Sequence, residues 1–203
     1  MAITTRATLI SAVTDTLNRT DLDTVALTWL SLAETDIAAR VRSADTESST
    51  NLTLDAAGEA SLPSDYGEWR AVTANTVPRR SLDYITPSRM DEDYPYRDSG
   101  SPQVFTIIGS TIRVLPIPSS TINLQYYSAI QPLATDDATN WLLVAHPAIY
   151  LYGTLVHSAP YLGDDNRLQL WGAMFENALR ALEMKDERAR YSSTRMRVKS
   201  PTP

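Results

Sequence analysis

Both histidines of the chain lie in one short stretch, HPAIYLYGTLVHSAPYLGDD at residues 146–165, which ends in two aspartates. Imidazole and carboxylate groups are the side chains that most often bind metals or transfer protons. If residues 146–157 formed one helix, His146 and His157 would share a face but lie roughly 16 Å apart, at about 1.5 Å per residue. Because one ion cannot bind both, the stretch does not predict a metal site.

The aspartate pair is poorly placed for catalysis. Asp164 and Asp165 are neighbours in the sequence, so their side chains point in different directions on a helix. Acid–base pairs of glycosidases need two carboxyl groups that converge across about 5 to 9 Å. We interpret Asp164 or Asp165 as the cap of a following helix, and Asp136 and Asp137 in the same way.

Other catalytic patterns are missing from the sequence. It contains no Cys, no Gly-x-Ser-x-Gly motif and no glycine-rich phosphate loop among its seven glycines. The acidic run DEDY at 91–94 lacks metal-ligand spacing and is typical of a solvated loop. We therefore predict a protein that is not an enzyme and has no cofactor.

Length and charge limit the function further. The 203 residues allow one domain, or one body with an inserted subdomain. A formal net charge of −6 disfavours a general nucleic-acid-binding protein. From Arg188 onward, however, there are five Lys or Arg and no acidic residue. Most of the basic residues are arginines, which suit bidentate contacts at interfaces.

No targeting or membrane segment is predicted. The first residues, MAITTRATLISAVTDTLNR, lack the long apolar core of a signal peptide. The longest apolar stretch, WLLVAHPAIYLYGTLV, is shorter than the about 20 residues that span a bilayer.

Apolar spacing predicts two helices at the start of the chain. In residues 5–18 apolar side chains recur at helical spacing, and Thr4 or Thr5 can cap the helix. In the second helix Thr20 and Asp23 resemble a capping box. Apolar residues then recur every four positions, at Val25, Trp29, Ala33, Ile37 and Val41.

Residues 46–134 indicate a small antiparallel β module of about five or six strands. NLTLDAAGEASLP predicts one hairpin, and QVFTIIGSTIRVLPIP predicts another around Gly109-Ser110. EWRAVTAN predicts a strand, and a later strand has Ile122, Leu124 and Tyr126 on one face. Between them, PSRMDEDYPYRDSGSP predicts a long loop with room for one helical turn.

Helical patterns return after residue 136. Pro147 predicts either a helix that ends at His146 and a new one that begins at Pro147, or one kinked helix. Pro160 and Gly163 predict the end of that helix. A last helix is predicted to carry Leu168, Trp171, Phe175, Leu179 and Leu182, and a basic tail follows Tyr191.

These elements predict an α+β fold. Its mainly antiparallel helical body comes from both chain ends, with an inserted small antiparallel β module and an extended C-terminal tail. The predicted boundaries are 1–45 for the N-terminal helical pair, 46–135 for the β module, 136–190 for the C-terminal helices and 191–203 for the tail.

Residues 141–156 are apolar nearly all round, which is more than a surface helix requires. We interpret this excess as packing against a second subunit, with tyrosines that supply contact area and a polar tip. The residues predicted to pack between subunits are Trp141, Leu142, Pro147, Tyr150, Tyr152, Gly153, Tyr161 and Trp171.

The segment NWLLVAHPAIYLYGTLVHSAPYLGDDNRLQLWGAMFENAL at 140–179 resembles the C-terminal signature of head-to-tail adaptor, or connector, proteins of tailed bacteriophages. It is similar to the podovirus tail-accessory and tubular-adaptor group, as is the order of helices, β module, helices and tail. The matching residues are Asn140, Leu142, Leu143, Pro147, Tyr150 to Gly153, Ala159 to Leu162, Asp164, Asp165 and Trp171.

The resemblance implies a structural virion protein, assembled in the host cytoplasm and located at the head–tail interface. It implies a dodecameric ring that docks on the portal protein, extends the channel for genomic DNA without sequence-specific binding, and carries a downstream tail or nozzle protein. Portal docking is implied for the C-terminal residues, here Arg188, Arg190, Tyr191, Arg195, Met196, Arg197, Val198 and Lys199.

Two alternatives stay open. Some relatives in this group are associated with peptidoglycan hydrolysis, so the chain could be a virion-associated hydrolase, although it shows no convergent acid pair. Another ring component, such as a tail-completion or terminator protein, is the second alternative.

Overall fold

A computed structural model describes residues 2–119, 121–163 and 167–191, the last three of them by their backbone alone. The chain forms two units. The helical unit comprises Met1–Ala44 and Ile130–Pro203, and the β unit comprises Asp45–Ala129. Helices dominate one unit and antiparallel strand pairs the other, which confirms the α+β class.

The helical unit begins with α1 (Arg6–Leu17) and α2 (Asp23–Arg40). Thr5 caps α1, as predicted, because its side chain accepts a hydrogen bond from the backbone N–H of Thr8. The predicted start of α2 at Thr20 is wrong: the N-cap position is Leu22, and no side chain caps it. Asp23 lies instead in the first turn, where its negative charge interacts favourably with the positive end of the helix dipole.

The described residues of the β unit form eight strands in two sheets, more than the five or six that were predicted. β4 and β5 have only two residues each, which is too short for a strand pattern in the sequence. One sheet has the order β1-β8-β3-β4 and the other β2-β7-β6-β5. A short helix, α3 (Pro87–Asp93), lies in the long predicted loop. The strands are β1 (Glu47–Leu52), β2 (Glu59–Ser61), β3 (Tyr66–Ala74), β4 (Arg80–Ser81), β5 (Asp83–Tyr84), β6 (Val104–Ile108), β7 (Thr111–Leu115) and β8 (Ile122–Ser128).

One predicted hairpin is wrong. The strands on either side of the turn at residues 55–59 do not pair with each other, since β1 pairs with β8 and β2 pairs with β7 in the other sheet. The turn itself is present, because the Asp55 side chain accepts hydrogen bonds from the N–H groups of Ala57 and Glu59. The alternation of apolar residues is compatible both with the predicted hairpin and with the pairing in two sheets, because both sheets contribute to one apolar core.

The predicted hairpin at Gly109-Ser110 and the buried face of the predicted later strand are confirmed. β6 and β7 form an antiparallel hairpin around Gly109-Ser110, and Ile122, Leu124 and Tyr126 of β8 are buried. The short pairing of β5 with β6 is parallel, in contrast to the antiparallel module that was predicted.

The remaining helices are α4 (Trp141–Ala145), α5 (Pro147–Leu162) and α6 (Leu168–Tyr191). The break between α4 and α5 falls at His146-Pro147, which confirms the first of the two predicted arrangements. Pro160 does not end α5, because the helix continues to Leu162 and stops at Gly163. The predicted last helix is present, and in it Leu168 is exposed whereas Trp171, Phe175, Leu179 and Leu182 are buried.

The apolar character of α5 is explained within the chain. This helix packs against α1, α2, α4 and α6, so its own unit surrounds it on several sides. Tyr150 and Leu155 are fully buried there. The apolar excess therefore does not require a second subunit. No described helix is both long and apolar enough to cross a lipid bilayer.

Two glycines inside helices test this packing. At Gly153 of α5 an added Cβ would lie 3.1 Å from the Phe175 ring and 3.4 Å from the Ala33 Cβ. At Gly172 of α6 it would meet nothing within 4 Å.

We expect Gly172→Ala to raise the free energy of unfolding by about 0.5–1 kcal/mol through helix propensity. Gly153→Val should lower it by about 1–3 kcal/mol, because the core becomes overpacked.

The measurement is urea unfolding of the three proteins, followed by circular dichroism. If Gly153→Val were as stable as Gly172→Ala, the close packing of α5 against α2 and α6 would be contradicted.

Candidate interaction surfaces

The two histidines have separate structural roles. His157 Nε2 lies 2.9 Å from Asp36 Oδ2, which connects α5 to α2. His146 separates α4 from α5: its N–H donates to Leu142 O, and its carbonyl accepts from the N–H of Ile149. Within the described parts of the chain, no three His, Asp or Glu side chains converge as metal ligands would.

Asp136 does not cap the helix that follows it, because Asn140 occupies the N-cap position of α4. Asp136 instead stabilises the start of α1. Its carboxylate lies 2.6 Å from Arg6 Nη2, and its carbonyl accepts a hydrogen bond from the N–H of Ala7. The N–H of Arg6 donates to Ala138 O, so these carbonyls satisfy N–H groups that the first turn leaves free. Asp164 and Asp165 lie outside the described residues.

Residues 130–140, the return segment, connect the β unit back to the helical unit. Glu34 Oε1 accepts a hydrogen bond of 2.7 Å from Leu133 N. Asn140 Nδ2 donates to Gln131 O and to the hydroxyl of Tyr150. Burial raises the pKa of Tyr150 to about 12. Burial also raises the pKa of Glu34, although the Leu133 N–H and the nearby Arg6 oppose that change.

The residues predicted to pack between subunits mostly pack within their own chain. Leu142, Tyr150, Gly153 and Trp171 are buried in the helical unit, and Trp141, Pro147 and Tyr152 are half-buried. Tyr161 differs, because 57% of it is exposed while its ring meets the edge of Trp29. Contact of these residues with a second subunit stays a prediction.

The predicted docking residues begin at the end of α6. Arg188 is exposed in the last turns of that helix. Arg190 and Tyr191 belong to α6, where only their backbone is described. Arg195, Met196, Arg197, Val198 and Lys199 lie outside the described residues.

The sequence did not predict two exposed apolar surfaces. Leu170, Met174 and Met184 lie on the outer side of α6 and are each between 37% and 54% exposed. In the β unit Trp69 stacks on Tyr84 with 5.7 Å between ring centroids, and both rings meet the edge or face of buried Phe105. The α6 surface could have been recognised from its helical spacing, whereas the aromatic group joins three separate strands.

A third surface is an acidic groove of about 510 Å³ between α1 and α2. We call it the α1–α2 groove. Ala7, Ile10 and Leu27 form its apolar lining, and the hydroxyl groups of serine and threonine side chains add polar lining. Three carboxylates also line it, those of Asp15, Asp23 and Asp136. No Lys or Arg of the described chain is among its lining residues.

In a comparison with known families, a family model described as SU10 adaptor protein matches residues 4–199, which include residues of both units. No curated protein matches the chain.

Glu34 gives a pH-dependent prediction for the return segment. A raised pKa means that the folded protein binds the Glu34 proton more tightly than the unfolded protein does. The stabilisation is therefore fully present below the unfolded pKa and is lost as pH rises through the higher folded pKa. Glu34→Gln keeps an acceptor for the Leu133 N–H without the buried charge, so it should be more stable than wild type at pH 7.

Thermal unfolding across pH 3 to 8 measures this difference, which should shrink towards acidic pH. Glu34→Ala serves as the matched variant, because it removes the acceptor and should be less stable than Glu34→Gln at every pH. A Glu34→Gln protein that is less stable than wild type at pH 7 would show that the charge itself holds the return segment.

Proposed function

Because the chain belongs to the SU10 adaptor protein family, we propose that it forms the ring that joins the head of a tailed bacteriophage to its tail. Family membership makes the chain a structural adaptor component of a phage virion. The observation that carries the finer proposal is the length of the match, which runs through both units and into the basic C-terminal residues.

We propose a dodecameric ring that docks on the portal protein and supports a downstream tail or nozzle protein. The ring is assembled in the host cytoplasm and remains at the head–tail interface of the virion. The basic C-terminal residues are the proposed portal contact, because arginines form bidentate bonds with carboxylates of a partner. The residues are Arg188, Arg190, Tyr191, Arg195, Met196, Arg197, Val198 and Lys199.

Genomic DNA is proposed to pass through the ring without sequence-specific binding. The residues before Arg188 contain all 24 acidic residues of the chain, so this part is strongly negative. Carboxylates repel unneutralised phosphate, which favours movement of DNA over adhesion.

A non-catalytic role agrees with how the reactive side chains are used. His157 pairs with Asp36, and Asp136 pairs with Arg6, so these groups join helices to each other and to the return segment. Neither pair consists of two carboxyl groups, which the acid–base pair of a hydrolase would need.

Truncation after Glu187 tests the portal contact. The truncated chain should still fold, because Leu182 is the last buried apolar residue of α6 that the structure describes. It should fail to co-sediment with purified portal rings, whereas the full chain co-sediments and its binding weakens as salt rises. The matched control is Arg79→Gln with Arg80→Gln, which removes exposed positive charge from the β unit.

If the truncated chain co-sedimented with portal rings as well as the full chain does, the portal contact would lie in the residues up to Glu187. Negative-stain images of the complex with the portal then count the subunits, and a ring of another order would refute the dodecamer.

A further inference from the structure

The α1–α2 groove carries negative charge that its own unit leaves largely unmatched. Asp136 pairs with Arg6, but no described Lys or Arg forms an ion pair with the carboxylate of Asp15 or Asp23. Thr14, Asp15 and Thr20 also line a second depression of about 350 Å³ at the α1–α2 turn, where Arg19 pairs with Asp21. The unmatched negative charge therefore lies in the groove itself, at Asp15 and Asp23.

The groove has the length of a short extended peptide. Its α1 side is formed by Ala7, Ile10, Ser11 and Thr14, which recur at the spacing of one helical face. This α1 lining extends from Ala7 to Asp15 and so is about 12 Å long. An extended chain rises about 3.3 Å per residue, so four or five residues fill this length.

One segment of the chain has the complementary pattern. The sequence Arg-Met-Arg-Val-Lys at 195–199 alternates basic and apolar side chains. In an extended chain, alternate side chains point to opposite sides, so the basic groups share one side and Met196 and Val198 share the other. No acidic residue occurs from Arg188 to the end of the sequence, so the positive charge of the segment is not offset locally.

We propose that residues 195–199 of one copy bind in the α1–α2 groove of a neighbouring copy. Met196 and Val198 would contact the apolar lining at Ile10 and Leu27, while the basic side chains pair with carboxylates. Charge-assisted bonds of this kind are the stronger hydrogen bonds in proteins. The bound segment would therefore join adjacent copies directly.

The groove of the same copy lies too far away for its own segment. Arg40 Nη1 lies 2.5 Å from Glu176 Oε1, and Ala44 N lies 2.5 Å from Asp186 Oδ1. The C-terminal half of α6 therefore runs beside the end of α2 and away from its beginning. At about 1.5 Å per helical residue, Leu27 lies about 20 Å before Arg40 along α2, and Tyr191 lies about 22 Å beyond Glu176 along α6. The four residues 192–195 span at most about 14 Å, so we assign the segment to another copy.

This inference rests on the proposed ring, because the groove and the segment come from different copies. It also refines the portal contact. If residues 195–199 are held between copies, the contact with the portal falls to Arg188, Arg190 and Tyr191 at the end of α6. The contact between adjacent copies and the contact with the portal then depend on different residues, so a substitution can abolish one without the other.

Engineered disulfides test the exchange, since the chain has no Cys of its own. The variant Thr24→Cys with Met196→Cys places one thiol in the groove and one in the segment. After mild oxidation, with and without portal rings, we expect a ladder of disulfide-linked dimers, trimers and higher species on a non-reducing gel. The matched control is Ser81→Cys with Met196→Cys, where the first thiol is at an exposed position of the β unit.

A closed monomer with an internal disulfide would overturn the proposal, because it would place the segment in its own groove. The proposal also fails if no ladder exceeds that of the control under either condition. Co-sedimentation with portal rings is measured on the same samples. Binding to the portal without a ladder would reject the proposed binding of the segment in the groove and leave the proposed function intact. A ladder without portal binding would support binding in the groove and contradict the proposed portal docking.

Charge removal gives a second readout. Asp15→Asn with Asp23→Asn, added to the Thr24→Cys and Met196→Cys variant, should reduce the ladder several-fold. Asp83→Asn with Glu92→Gln removes the same charge from exposed positions in the β unit and should leave the ladder unchanged. Equal ladders in both variants would show that the groove carboxylates do not hold the segment.

Discussion

The helical unit depends on the burial of α5 by helices from both parts of the chain. α1 and α2 precede the β unit, whereas α5 and α6 follow it, and the apolar side chains of all four form one core. Each large apolar side chain that is buried there contributes about 1.5–3 kcal/mol. Gly153 is the residue that permits this arrangement, because a Cβ at that position would press against Phe175 and Ala33. The β unit can therefore interrupt the chain without interrupting the core.

Polar contacts of the return segment complete this arrangement. Arg6, Glu34 and Asn140 bind main-chain groups of residues 131–138, so polar groups of a non-helical segment are satisfied at the surface of the core. Such contacts are individually modest, but buried groups without partners would be costly. They fix the point at which the chain re-enters the helical unit, and thereby the start of α4 and α5.

An adaptor protein acts through its surfaces rather than through a catalytic pocket. The exposed features of the two units are the α1–α2 groove, the outer side of α6 and the aromatic group around Trp69. Exposed apolar surface with polar surroundings is typical of protein–protein contact. His157 and Asp136 are instead joined to Asp36 and Arg6 of the helical unit, where they add specific contacts between its elements.

The sequence by itself determined the positions of most helices, a break or kink at Pro147, the hairpin at Gly109-Ser110 and the uniform positive charge from Arg188 onward. These features depend on periodicity, backbone restriction and composition, which act within a few neighbouring residues. The tertiary structure alone decided that β1 and β2 join different sheets, that Asp136 binds Arg6, and that α1 and α2 enclose an acidic groove. Each of these contacts joins residues far apart in the chain, and the same local pattern would have allowed several partners. The choice among them is made only when the elements pack, because burial and charge pairing are then satisfied together.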